Sequence, residues 1–380
     1  MSASVAEAPR LLAEATEHQP GARTALVAAL ASPSHAYLFT GPRGSGKAAA
    51  ARAFAAELLA AGADDPDDAR RRAAAVPPAH PDLAWITPPG TQHLVEEVRS
   101  RVITAIAYRP FEGERRVFVV EAAEAMAEES QNALLKTLED PPPFAHLILL
   151  TSAPAGLLET VRSRCQPIRF VPPPQAAVEA ALAERGLGAS DSERTAAARL
   201  SGGDAVLAAA LLSSPGSDIR EASAAIVGAA RRGEVGSAPW TEILELAEEA
   251  SRQAGAAAEA ARERAAEEAG RKEKRSTREE TDAVRRSSRR ARTEALDLGL
   301  ALVVAWLRDL AAVAEGAPEL ALNVDRIDRL KDEAAGLDPR AARRAAELAM
   351  DTRRRLTVNV GEELALEALA FRIEALLAGV

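Results

Sequence analysis

The stretch HAYLFTGPRGSGK, residues 35–47, constrains this chain more than any other. Tyr37, Leu38 and Phe39 read as a short buried strand. Gly41, Pro42, Arg43, Gly44, Ser45, Gly46 and Lys47 then match the phosphate-loop pattern G-x-x-x-x-G-K, and an Ala-rich helical run to Ala61 follows. Strand, glycine loop and helix is the order the motif requires. The glycines let backbone N–H groups turn toward phosphate oxygens, the helix start adds partial positive charge, and Lys47 adds a full one. One position departs from the pattern. The residue after the lysine should carry a hydroxyl that holds Mg²⁺, and here it is Ala48. The loop is predicted to keep its hold on phosphates and to lack a part that hydrolysis needs.

The neighbouring sequence supplies the rest of a sheet. Residues 83–86, RVFVV at 116–120 and HLILL at 146–150 read as strands. Helical patterns at 95–107 and 125–139 alternate with them, the second stopped by Pro141, Pro142 and Pro143. Residues 1–34 read as helix ending near Pro33, and 62–81 as a polar, proline-marked surface segment. Alternation of this kind predicts an α/β core, a parallel sheet wrapped by helices, with ligands at the carboxyl ends of the strands. After RVFVV come Glu121 and Ala122, where a metal-holding Asp and a catalytic Glu are expected of a hydrolase. The next strand ends at Thr151 and Ser152, whose hydroxyls read equally as phosphate contacts or turn caps. Arg164, in Ser163-Arg164-Cys165, reads either as a solvated surface ion pair or as a planar fork offered to phosphates. Cys165 has no nearby His and reads as a small core residue.

Pro172, Pro173 and Pro174 mark a first domain boundary, and residues 233–239 a second. Between them lie short helices with a turn at Ser201, Gly202 and Gly203. From Trp240 on the chain reads as helix. Residues 251–295, rich in Ala, Glu and Arg, form a long exposed helical stretch frayed near Gly270. Residues 298–313 and 362–377 carry apolar periodicity. Leu364, Leu366, Leu369, Phe371, Ile373, Leu376 and Leu377 are therefore predicted to be mostly buried. A net charge of -9 argues against a general nucleic-acid coat. Arg285, Arg286, Arg289, Arg290 and Arg292 share helical faces and read as a nucleic-acid face or, in view of the acidic stretch upstream, a solvated one. The single cysteine excludes an internal disulfide and a thiolate zinc cluster. No long apolar run and no secretory leader are present, which fits a cytoplasmic protein.

HAYLFTGPRGSGK, NALLKTLEDPP at 132–142, VRSRC followed by IRF, and the C-terminal NVGEELALEALAFRI resemble the bacterial clamp-loader subunits of the AAA+ class. The likeness covers the first 170 residues well, the tail moderately and 175–355 loosely. It implies an AAA+ phosphate-loop core at 1–172, a small helical lid at 173–236 and an all-α collar at 237–380. Ala48, Glu121-Ala122 and the arginine-free SGGDA at 201–205 resemble the non-hydrolysing delta-prime branch of the DNA polymerase III clamp loader more than the gamma/tau motors. A subunit of that branch would sit beside gamma/tau and delta subunits in a ring that loads the sliding beta clamp on primed DNA, as a component of the polymerase holoenzyme. It would hold ATP or ADP without hydrolysis, carry no zinc at 62–81, and offer Arg164 as an arginine finger to a neighbour's ATP. The alternative is a motor subunit, or another AAA+ ATPase, in which Glu121 substitutes for the missing aspartate.

Overall fold

In the computed structural model, residues 8–88, 90, 92–268, 277–356 and 361–378 are described below. The chain divides into two compact units, residues 1–174 and 175–380.

The first unit is built on a five-stranded parallel sheet, β1 (Ala36–Thr40), β2 (Leu83–Ile86), β3 (Arg116–Val120), β4 (Ala145–Thr151) and β5 (Gln166–Arg169), in the order β2-β3-β4-β1-β5. Successive strand side chains point to opposite faces, and the sequence fills both with apolar groups. Tyr37, Phe39, Val117, Val119, Ile148 and Leu150 enter one core with α1 (Arg10–Ala15), α2 (Pro20–Ala31) and α3 (Lys47–Ala60). Leu38, Phe118, Val120, Leu147 and Leu149 enter the other, with helical segments from Val95 onward. This is the expected α/β core, a parallel sheet wrapped by helices that carries the phosphate loop after its first strand.

Three local expectations are corrected. The N-terminal helix is two helices, broken between Thr16 and Gln19, because Pro20 has no N–H to continue a helix and restricts the residue before it. The segment 95–107 is not one regular helix. A single α turn, α5 (Val95–Val98), runs into a π turn (Arg99–Thr104) and a 3₁₀ turn. The helix expected from 125 begins later, as α6 (Glu128–Glu139), because Ala122 takes a left-handed backbone and Ala123–Ala125 forms a separate 3₁₀ turn. The polar segment 62–81 contains α4 (Pro66–Ala74), whose Asp65 side chain caps the N–H groups of Asp67 and Asp68. A short helix, α7 (Glu159–Arg162), precedes β5.

The second unit is entirely helical among its described residues: α8 (Gln175–Glu184), α9 (Asp191–Ser201), α10 (Ala205–Leu211), α11 (Gly216–Arg232), α12 (Thr241–Glu268), α13 (Thr277–Ala314), α14 (Ile327–Ala334), α15 (Pro339–Leu356) and α16 (Glu362–Leu377). One hydrophobic cluster runs from Val178 to Leu377 through Trp306. A buried polar lattice crosses it: Arg220 binds Asn323 and Asp325, and Asp309 accepts from the backbone of Leu322 and Asn323. The fraying expected near Gly270 lies outside the described residues. The burial expected along α16 holds for Leu366, Leu369, Ile373 and Leu377 but fails for Leu364 and Phe371, which are 67% and 45% exposed. At 100° per residue those two fall on the face opposite the buried four. No helix among the described residues is long and apolar enough to cross a membrane.

Candidate functional site: the phosphate loop and the strand ends beside it

The carboxyl ends of β1, β3 and β4 bring the sequence-predicted residues to one edge of the sheet. The loop at 41–47 leaves β1, and its geometry explains its glycines. A side chain at Gly41 would meet the Phe170 carbonyl oxygen at 2.6 Å and the Phe170 Cβ at 2.8 Å. Gly46 has φ 83° and stands at the N-cap of α3, a conformation that costs other residues roughly 1–2 kcal/mol. The Lys47 ammonium donates to the carbonyls of Gly41 (3.0 Å) and Pro42 (2.9 Å), closing the loop on itself. Pro42 and Gly44 complete the turn, and the Ser45 hydroxyl is buried inside it. Ala48 packs against the apolar core of α1–α3 and presents no oxygen to an ion.

Sequence reasoning missed Gln19. This buried side chain donates to the carbonyls of Ser45 (3.1 Å) and Val171 (2.6 Å) and accepts from the Val171 N–H (3.0 Å). It ties the phosphate loop to the chain leaving β5, in the break between α1 and α2. A glutamine before a proline carries no signal of that role by itself.

The Glu121 carboxylate is committed elsewhere than to a metal. It accepts from Trp85 Nε1 (2.9 Å) and the Thr87 hydroxyl (3.4 Å), both on the β2 side of β3, whereas β4 and β1 lie on the other side. The Arg52 guanidinium lies 4.3 Å from the Trp85 ring centroid. Burial lowers the Arg52 pKa, and the Glu121 charge partly offsets this. Ala122 follows with φ 47° and ψ 52° and has no acid to activate water. His93, also missed from sequence, places Nε2 2.7 Å from the Glu121 carbonyl, and burial pushes its pKa below the ordinary value.

Thr151 and Ser152 serve the turn after β4. The Thr151 hydroxyl accepts from the Ala153 N–H at 3.1 Å, and its carbonyl accepts from Gly41 N–H at 3.2 Å. The Ser152 hydroxyl donates to Glu124 at 2.7 Å. Burial pushes the Glu124 carboxyl up, but hydrogen bonds, led by the Ser152 hydroxyl, hold it below the usual value. Among the described residues no three His, Cys, Asp or Glu side chains cluster as metal ligands.

Arg164 lies apart from the loop, in the turn between α7 and β5. It forms a surface ion pair, one of its two sequence readings. Its Nη1 donates to the Thr160 carbonyl (3.0 Å) and its Nη2 to the Glu139 carboxylate (2.7 Å), with the two charged side chains 35% and 55% exposed. Cys165 is buried, and burial pushes its thiol pKa up to about 12, so it is a packing residue and no nucleophile. In the second unit, Arg292 pairs with Glu248 and Glu362, Arg290 with Glu294, and Arg285 lies 4.0 Å from Asp282. That pairing favours the solvated-helix reading of the run over a nucleic-acid face.

The family model described as DNA polymerase III, delta subunit, matches residues 22–174, the sheet unit. Subunit delta′ of Pseudomonas aeruginosa DNA polymerase III is 35% identical over 140 residues, covering 36% of this chain and 42% of the relative. Subunit delta′ of Bacillus subtilis is 30% identical over 154 residues, covering 40% and 46%. Subunit gamma/tau of Mycobacterium bovis is 33% identical over 155 residues, covering 37% and 25%. The chain thus spans less than half the length of these relatives. Over its first unit, the chain is similar to the delta′ and the gamma/tau subunits of DNA polymerase III alike.

Proposed function

We propose that the chain is a delta′-type clamp-loader subunit that does not hydrolyse ATP itself and lends Arg164 to ATP held by a neighbouring gamma/tau subunit. The observation that carries this reading is the commitment of Glu121 to Trp85 and Thr87, beside a loop where Ala48 replaces the metal-binding hydroxyl. Phosphoryl transfer relies on a bound metal and a placed water, and both protein contributions are missing at this edge. The loop backbone and Lys47 keep the anion-binding parts, which supports weak ATP or ADP binding without turnover. Arg164 offers a planar, permanently charged fork on a part-exposed turn. The Glu139 and Thr160 contacts that hold it are the kind a phosphate would exchange with or share. In the assembled ring, with gamma/tau and delta subunits, the chain would take part in placing the beta clamp on primed DNA.

The second reading, a gamma/tau-like motor, draws on comparable identity to gamma/tau relatives and on the retained Lys47. One experiment separates the two. The purified chain is assayed for ATP turnover and for co-elution with the gamma/tau and delta subunits of its own host. Background turnover with stable co-elution supports the delta′ reading. Turnover that Lys47→Ala abolishes would establish a motor instead.

A further inference from the structure

We propose that Glu139 is a positioning residue for Arg164, holding its guanidinium ready for a phosphate on the neighbouring subunit; this rests on the arginine-finger reading above. Glu139 is the last residue of α6, and Arg164 lies just past α7. Two protein oxygens from separate segments hold the fork: Glu139 Oε1 at 2.7 Å on Nη2 and the Thr160 carbonyl at 3.0 Å on Nη1.

The segments bearing those oxygens are themselves locked together. Gln131 of α6, buried to 3% exposure, donates to the carbonyls of Met126 (2.9 Å) and Gly156 (3.1 Å). Its Oε1 accepts from the Leu158 N–H at 2.8 Å, at the N-cap of α7. On the other side of Arg164, buried Cys165 pins the backbone in the core. Both the root and the tip of the Arg164 side chain are therefore held by the same pair of helices that Gln131 ties together. The Arg164 side chain as a whole remains 35% exposed.

An unrestrained arginine loses its rotamer freedom on meeting a phosphate, and the pair with Glu139 has removed that freedom beforehand. Ordering one rotamer-rich side chain is worth roughly 2- to 12-fold in rate or affinity. The pair gives the residues of the LED segment at 138–140 a task beyond ending a helix. Nothing in their local pattern points to Arg164, which lies 25 positions away.

The test is stimulated ATP turnover by complexes reconstituted from the full chain with its host gamma/tau and delta subunits, carrying Glu139→Ala, Glu139→Gln, Arg164→Ala, or Glu139→Ala with Arg164→Ala. Thermal melts of each variant confirm folding. The inference predicts that Glu139→Ala lowers kcat about 2- to 12-fold with KM for ATP unchanged. Glu139→Gln, which keeps the acceptor oxygen, should fall between Ala and wild type. In the Arg164→Ala background Glu139→Ala should cost nothing more. If Arg164→Ala lowers turnover and Glu139→Ala leaves it unchanged or raises it, the inference is overturned while the finger reading stands. If Arg164→Ala has no effect, the finger reading fails and the inference falls with it.

Discussion

The two faces of α16 make opposite predictions that a single helix can test. Leu369 is 3% exposed and lies in the continuous core of the helical unit, whereas Leu364 is 67% exposed. Truncating a fully buried leucine to alanine removes its transfer energy and leaves a cavity, together about 2–5 kcal/mol. The same truncation on an exposed face stays within about 0.5 kcal/mol. In a unit of roughly 200 residues, 3 kcal/mol lowers Tm by roughly 6–12 °C. Leu369→Ala should therefore melt the helical unit markedly earlier, while Leu364→Ala melts with the wild type. Co-elution with partner subunits should invert the order at low temperature. Leu364→Ala with Phe371→Ala should weaken assembly if this exposed face meets a partner collar, and Leu369→Ala should leave it intact while folded. Equal melting shifts for Leu364 and Leu369 would refute the placement of the core.

The phosphate loop and the sheet beneath it give three further predictions. The isolated chain should turn over ATP at background, with Lys47→Ala changing nothing, while calorimetry detects weak ADP binding that persists without Mg²⁺; a magnesium-dependent turnover would contradict the account of Glu121. Gly41→Ala should destabilise the sheet unit by about 1–3 kcal/mol, because its Cβ meets a backbone oxygen at 2.6 Å; an unchanged denaturation midpoint would show that β5 yields there. Burial lowers the pKa of His80, His93 and His146 below the ordinary 6.5, so the unfolded chain binds protons that the native chain refuses. Their contribution is full above pH 6.5 and is lost as pH falls through the lower folded values, so urea midpoints should drop between pH 7 and pH 5, and drop less in His93→Gln.

What could be read from the sequence was local. RVFVV carries β-branched residues between a charged edge and an acid, and it forms β3 with no shift in its ends. The loop motif names its own conformation, since glycine takes the left-handed N-cap at Gly46 without strain and alone fits the close approach at Gly41. What escaped depends on contacts between distant segments. Gln19 reaches Val171, Glu121 turns to Trp85, and Glu139 meets Arg164, and none of these pairings leaves a mark in spacing or composition. The break at 16–19 was signalled by Pro20 but hidden by apolar periodicity on either side. On α16 the count of leucines suggested one broad face, yet the register divides them, and only the packing of the helical unit decides which face is covered.

The most direct measurement of the central claim is clamp- and DNA-stimulated ATP turnover by reconstituted complexes carrying Arg164, Arg164→Ala or Arg164→Lys, with assembly verified for each. A trans-acting arginine is worth roughly 10³–10⁵-fold at its own site, and the loss for the whole complex is smaller because other motor sites keep their own arginines. The account predicts reduced turnover in the Ala complex and poor rescue by Lys, which has charge without a planar fork. The pair with Glu139 is exposed enough that folding should change by only about 0–1 kcal/mol. Wild-type turnover in a fully assembled Arg164→Ala complex would contradict the account and leave Arg164 an ordinary ion-paired surface residue.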